Sequence, residues 1–270
     1  RRLLALTFAL ACCGCTRPPA AIGVSQELVY EQGVVAADHP LASEAGAEML
    51  RRGGNAVDAA VAANLAAFCA EPVLTSPFGG GLGMVAGPGH QPVSFNFFAR
   101  VPGLQSKFAQ SEIDFQKIDV QFGPAVQSFH VGKGSSAVPL LLPGLLELHQ
   151  RYGRLPLHAI VEPAIDFARN GIEVSHELAG IFEILKPILT MTEPSRKQFA
   201  PTGELLKAGD TFKAPGLVNV LEQFSKNDIR PIMELFQKEL AGPDGLVTPE
   251  DLVNLSPQTT SPVHVHAGQF

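Results

Sequence analysis

The composition of the chain favours a globular protein over a disordered or nucleic-acid-binding one. It has 270 residues, of which 46% are hydrophobic and 17% charged, and its formal net charge is −6. A chain this apolar can bury a sizeable core, and its length suits one large domain or two modest ones. Nucleic acid is excluded as an expected partner, because phosphate binding depends on a basic face.

The first 22 residues resemble the export signal and linker of a bacterial lipoprotein. Two arginines precede an apolar run over residues 3 to 11, which has the length of a signal-peptide core and is too short to cross a bilayer. Cys12, Cys13 and Cys15 follow, and each is a candidate for lipidation. We therefore predict a lipid anchor as the only membrane contact and a location in the periplasm or cell envelope. An ordinary cleaved signal peptide is the alternative.

Strands are expected early in the region that follows this segment, residues 23 to 270. An apolar run at residues 34 to 37 has strand character. Two further strands, residues 84 to 86 and 93 to 98, flank a Gly-Pro-Gly-His turn. Residues 105 to 136 show no clear pattern.

Helices are expected from the spacing of apolar residues and from capping residues. The best defined covers residues 56 to 70, because Asn55 stands where a side chain can cap its first turn. The others are predicted over residues 41–52, 143–152, 158–169, 177–189, 217–226 and 232–240, with a last short one at 249–255. Strands followed by helices, without regular alternation, predict a layered α/β (α+β) arrangement and not a doubly wound sheet.

Four side chains on these helices have simple structural interpretations. Cys69 follows three apolar residues and is predicted to be a buried small hydrophobe. Asp58 is predicted to be a helix-surface or packing carboxylate that hydrogen-bonds locally. Glu162 and Asp166 form a like-charged pair four residues apart, which is typical of a solvated helix face.

Two other patterns are weak as ligand sites. The glycines of residues 81 to 86 match a loose dinucleotide fingerprint, but no helix follows to hold a phosphate. His264 and His266 share one side of a strand pattern, yet no third metal ligand is near them in the sequence. We therefore expect neither a cofactor nor a metal.

The most specific stretch of the chain lies between residues 38 and 83. It reads His-Pro-Leu-Ala-Ser-Glu-Ala-Gly at 39–46, Gly-Gly-Asn-Ala-Val-Asp-Ala-Ala at 53–60, and Gly-Gly-Gly-Leu-Gly at 79–83. Tyr-Gly-Arg-Leu-Pro at 152–156 and Thr-Pro-Glu-Asp-Leu at 248–252 add later blocks. Together these blocks resemble the large subunit of the γ-glutamyltranspeptidase family.

The resemblance implies an N-terminal-nucleophile hydrolase fold, an αββα sandwich of which this chain would be the large-subunit half. It implies a precursor that cuts itself, so that a threonine at the start of the small subunit attacks γ-glutamyl amides such as glutathione. The glutamyl group then passes to water or to an amino acid. The expected partners are the γ-glutamyl peptide and the small subunit from the same precursor.

The nucleophile is not expected within these residues, because in the family it lies well beyond the motif that this chain carries at residues 248–252. Thr259 and Thr260 are the nearest substitutes, but Ser261-Pro262 does not resemble the family's cleavage site, and an exposed linker is the expected structure. No catalytic residue is therefore assigned. The chain is expected to be inactive by itself and to expose strand edges and apolar faces.

One substrate-binding residue is assigned by the resemblance. In the family, an arginine in a Phe-Arg-Glu-x-Ala-Pro pattern binds the α-carboxylate of the glutamyl group. The pattern aligned on Pro102 places Phe98 at that position, with Arg100 two residues later. Residues two apart in a strand share a face, so we predict that Arg100 reaches the carboxylate from a shifted position.

Two alternatives stay open beside this prediction. Phe98 instead indicates a changed acyl specificity on the same scaffold, as in an acylase. A non-catalytic lipoprotein module is the other alternative.

Overall fold

The computed structural model describes residues 33–88, 90–103, 113–240, 242–253 and 255–263. From Val34 onward these residues belong to one compact unit. The signal-like segment with Cys12, Cys13 and Cys15 lies outside the described residues, as do His264 and His266.

Helices are the most abundant secondary structure among the described residues. The α-helices are α1 (Pro40–Arg51), α2 (Ala56–Ala70), α3 (Leu141–Tyr152), α4 (Leu157–Asn170), α5 (His176–Leu189), α6 (Glu193–Phe199), α7 (Pro215–Phe224) and α8 (Arg230–Leu240). Two 3₁₀ turns lie at Lys133–Ser135 and Glu250–Leu252. Within the described ranges, no helix combines the length and apolar character needed to cross a bilayer.

The strands form one small sheet and two short ladders. They are β1 (Gly81–Gly87), β2 (His90–Phe97), β3 (Gln116–Phe122), β4 (Ala125–Val131), β5 (Ile172–Glu173), β6 (Thr211–Phe212) and β7 (Gln258–Thr260). The three-stranded sheet has the order β1-β2-β7, and all of its pairings are antiparallel. The β3–β4 hairpin and the β5–β6 pair are separate ladders.

The two faces of the β1–β2–β7 sheet differ in burial. Phe95 and Phe97 of β2 point into the main core, together with residues of α2, α3 and α4. Leu82 and Met84 of β1 point to the opposite face, where they are 74% and 66% exposed. The described residues leave that face largely open, so they pack helices against one side of the sheet alone.

Most predicted helices are confirmed to within two residues at each end, and α2 has the predicted bounds. Helix α6 was not predicted. The expected helix at residues 249–255 is only a 3₁₀ turn, because Pro249 and the Thr248–Asp251 cap fold it into a tight bend.

Two predictions about strands are wrong or incomplete. Residues 34 to 37 form no strand among the described residues, because no neighbouring strand pairs with them and Val34 is 68% exposed. The unassigned stretch 105–136 contains the β3–β4 hairpin, and the alternation of Ile118, Val120 and Phe122 with polar residues was a strand signal that was missed.

Candidate functional site

The turn between α1 and α2 is stabilised by hydrogen bonds among its own residues. Asn55 Oδ1 accepts hydrogen bonds from the N–H groups of Val57 and Asp58, and Asp58 Oδ2 accepts from Asn55 N–H at 2.8 Å. This reciprocal capping box starts α2 and satisfies donors that the helix itself cannot. Gly53 has a φ of +84°, which allows the chain to turn out of α1.

Asp58 also reaches across the fold, which the sequence did not indicate. Its carboxylate accepts from the N–H of Arg154 at 2.9 Å and of Leu155 at 3.3 Å, and the residue is fully buried. Asn55 Nδ2 donates to Tyr152 O at 2.6 Å. Of the two predicted alternatives, the packing carboxylate with local hydrogen bonds is confirmed and the helix-surface one is wrong, while the long-range bonds were not predicted. Asp58 joins the Gly-Asn-Ala-x-Asp-Ala block to the Tyr-Gly-Arg-Leu-Pro block.

The glycine-rich segment before β1 allows the closest backbone approach in the site. A Cβ atom on Gly80 would lie 2.2 Å from Ala99 N and 2.9 Å from Phe98 Cα, so only glycine fits against this stretch. A Cβ on Gly81 would meet the Phe97 ring at 2.7 Å. Residues 81 to 86 lie within β1 and not at a strand-to-helix turn, which agrees with rejecting a dinucleotide site.

A groove of about 520 Å³ lies between α2 and β1. Its floor is apolar, and one wall is the exposed stripe Ala56, Ala60 and Asn64 of α2. The other wall is β1, whose outer edge is unpaired among the described residues. The groove is therefore an open edge of the sheet with an apolar helix beneath it.

Arg100 lies beyond β2, which corrects the premise of its predicted role. Because β2 ends at Phe97, the period-two argument that put Arg100 on the face of Phe98 does not hold. The Arg100 backbone instead pairs with Val138 in an isolated bridge, and its guanidinium donates to Ser256 O at 2.7 Å. Its assignment as a substrate-binding residue stays a prediction.

The Thr-Pro-Glu-Asp-Leu block tethers the same loop from the other side. Asp251 Oδ2 accepts from Gly103 N–H at 2.9 Å and from both Thr248 N–H and its hydroxyl. These hydrogen bonds of Asp251 and Ser256 were not predicted from the sequence. The block at 248–252 was the one sequence feature that pointed to this region. The residues after this block form β7, so Thr259 and Thr260 lie in an exposed strand paired with β2 and not in a linker.

Other titratable groups have environments that do not suggest catalysis. Cys69 is buried, with its thiol 3.6 Å from Ala164 O, and burial raises its pKa to about 12, as expected of a structural cysteine. Burial and then the nearby Asp38 carboxylate raise the pKa of Glu71. Glu162 is solvated as predicted, but it also pairs with Arg52 at 2.7 Å. No group of three or more potential metal ligands occurs in the described ranges.

The comparisons with known proteins agree with these blocks. Residues 42–270 match the family model described as gamma-glutamyltranspeptidase. The chain is 32% identical over 250 residues to glutathione hydrolase proenzyme 1 of Schizosaccharomyces pombe, covering 89% of this chain and 38% of that protein. It is also 32% identical over 219 residues to the acylase ACY 1 proenzyme of a Pseudomonas species, covering 81% of this chain and 35% of that protein.

The fold matches as well. The γ-glutamyltranspeptidase of Helicobacter pylori superposes with a TM-score of 0.74 at 26% identity, covering 87% of this chain and 67% of that one. The fold is therefore that of the N-terminal-nucleophile hydrolases, as predicted. The chain spans well under half of the length of the curated relatives named above. With most of its residues matched by the family model, this chain belongs to the γ-glutamyltranspeptidase family.

Proposed function

We propose that this chain is the N-terminal portion of an amide hydrolase and acyltransferase proenzyme. The match of residues 42–270 to the family is the observation that carries the proposal. The nucleophile is a threonine that self-cleavage frees at the start of a second subunit, outside residues 1–270. The family makes γ-glutamyl peptides such as glutathione the first donors to test, and water or amino acids the acceptors.

The proposed reaction has two steps, the formation of an acyl ester and its breakdown. The threonine hydroxyl oxygen attacks the amide carbonyl, and its proton moves to the threonine's own α-amino group. The C–N bond breaks, the leaving amine takes that proton, and an acyl ester remains. Water or an amine then attacks the ester and restores the hydroxyl. Hydrogen-bond donors around the carbonyl oxygen stabilise the negative charge that forms in each step.

The open side of the β1–β2–β7 sheet supports a second subunit as the partner. The outer face carries Leu82 and Met84, both mostly exposed. Among the described residues, the outer edge of β1 is unpaired and runs beside the apolar groove on α2. Exposed apolar side chains next to an unpaired strand edge favour association, and covering them stabilises the protein. Strands from the small subunit are the proposed cover.

Two kinds of relative bear on the acyl group that this chain transfers. The curated relatives include glutathione hydrolases and an acylase at the same identity, 32%. The exposed Phe98 and the tethered Arg100 favour the acylase-like alternative.

The lipid anchor and envelope location likewise belong to the proposal, and replacing Cys12, Cys13 and Cys15 singly tests them by loss of fatty-acid labelling.

The test uses the complete coding region expressed with its downstream sequence. We expect mass spectrometry to find two fragments, the second beginning with threonine, and amide hydrolysis only after the cut. Replacing that threonine by alanine is expected to abolish both cleavage and turnover. Amidase activity from residues 1 to 270 alone, or from uncut protein, would contradict the proposal. A stop codon directly after Phe270 would support the non-catalytic lipoprotein module instead.

A further inference from the structure

An exposed aromatic ring stands at the end of β2, next to the glycine segment. Phe98 follows the last residue of the strand, and its side chain is 65% exposed. Its N–H donates to Asn96 Oδ1 at 3.0 Å, and its Cα lies against the backbone of Gly80. The backbone that carries the ring is therefore fixed by the hydrogen bond to Asn96 and by the contact with Gly80. The ring occupies the position at which the resemblance places a carboxylate-binding arginine.

The charged side chain nearest to Phe98 in the sequence is hydrogen-bonded to a distant segment. Arg100 is the one charged side chain among residues 93 to 103. Its guanidinium donates to Ser256 O, while its backbone N and O are bonded to Val138 at 3.1 and 2.9 Å. Moving the guanidinium to a substrate carboxylate would break the bond to Ser256, which lies two residues before β7.

The tethers around Arg100 give it a different task. Gly103 is bonded to Asp251, so the loop 99–103 contacts the segment 248–256 through Asp251 as well as through Ser256. That segment leads into β7, which pairs with β2 at Ser94 to Asn96. Arg100 therefore holds the chain that enters β7, at the same end of β2 at which Phe98 stands.

The resemblance places Phe98 in the acyl site, so the inference rests on the proposed acyl transfer. We propose that Phe98 determines acyl specificity and selects an uncharged, apolar acyl group, and that Arg100 is a positioning residue for the 248–256 segment. A carboxylate placed against an aromatic ring without a cation loses its hydration and gains no partner. An apolar acyl chain in the same place removes apolar surface from water and is stabilised.

Two matched donors test this in the processed, full-length protein. γ-Glutamyl-p-nitroanilide carries an α-carboxylate and an α-amino group, and butyryl-p-nitroanilide is the same acyl chain without them. We expect kcat/KM to favour the butyryl donor by about tenfold in the wild type. In Phe98→Arg, a charge-assisted bond to the carboxylate is expected to shift the ratio towards the γ-glutamyl donor by roughly 10- to 100-fold.

Two further variants separate specificity from damage to the fold. Phe115→Arg places the same charge at another exposed aromatic, one that stacks on His130 of β4, and is expected to leave the donor ratio unchanged. Arg100→Ala is expected to lower turnover of both donors by one common factor and to speed proteolysis within residues 248–260. A selective loss of γ-glutamyl turnover in Arg100→Ala would overturn the inference.

The outcomes also distinguish the inference from the function on which it rests. A wild type that prefers the γ-glutamyl donor, with a ratio that Phe98→Arg leaves unchanged, overturns the inference and leaves the proposed function standing. A correctly processed protein that hydrolyses neither donor overturns the proposed function, and the inference with it.

Discussion

The covered and uncovered faces of the β1–β2–β7 sheet carry the same backbone but opposite surroundings. On the covered face, Phe95 and Phe97 are nearly inaccessible to water, and Gly144 of α3 leaves no room for a Cβ against the Phe97 ring. On the other face, Leu82 and Met84 are mostly exposed. One face of the sheet is therefore packed as a protein core, whereas the other exposes Leu82 and Met84 beside polar residues of β2 and β7.

The largest expected effect on stability is that of replacing Asp58, in the packed part of the molecule. Asp58→Ala leaves the N–H groups of Asn55, Arg154 and Leu155 without their acceptor in a buried place. We expect the free energy of unfolding of the full-length protein to fall by about 3–5 kcal/mol, measured by denaturant titration. Asp166→Ala on the exposed side of α4 is the control and should change it by less than about 0.5 kcal/mol. Equal effects of the two substitutions would contradict the role given to Asp58.

The structure on the packed side of the sheet was also easier to predict from the sequence, and particular residues show why. Asn55 and the helix that it caps follow from local spacing, because a cap and an apolar period are written within a few adjacent residues. The family blocks gave the fold. The bonds from Asp58 to Arg154 and Leu155 span 96 and 97 residues, and no local pattern encodes such a contact.

Errors concentrate where a structure depends on neighbours distant in sequence. Residues 34–37 have strand composition, but a strand exists only when another strand pairs with it. The β3–β4 hairpin is a different case, because Ile118, Val120 and Phe122 alternate with polar residues and this local strand signal was missed. Arg100 was placed by strand periodicity, and the strand ends three residues before it. The candidate site was therefore located by motif, while the direction of its side chains was not.

A smaller effect is expected from the helix that covers the sheet. In Gly144→Ala, the new Cβ would lie 2.4 Å from Phe97 Cγ and 2.6 Å from Phe97 Cβ, so α3 or the strand must shift. We expect a loss of about 1–3 kcal/mol in the free energy of unfolding. Gly180→Ala, in α5, is a matched control, since its Cβ meets no atom within 4 Å. There, higher helix propensity is expected to stabilise the protein by up to about 1 kcal/mol. Stabilisation by Gly144→Ala would show that the covered face is loosely packed.

The smallest effect on stability is expected on the uncovered face, where it is also the most informative. Leu82→Ser combined with Met84→Ser, made in the 270-residue chain, replaces two mostly exposed side chains and should change the free energy of unfolding by less than about 0.5 kcal/mol. The same substitutions should clearly reduce the fluorescence of a bound hydrophobic dye, because they remove the exposed apolar pair. Phe122→Ser with Val126→Ser, on the β3–β4 hairpin, controls for apolar exposure elsewhere. In the complete proenzyme we expect the Leu82 and Met84 substitutions to be strongly destabilising instead, because the proposed second subunit would bury both side chains. A 270-residue chain that unfolds cooperatively and binds no dye would contradict an uncovered apolar face. Such a surface would leave little free energy to be gained from burial by a second subunit.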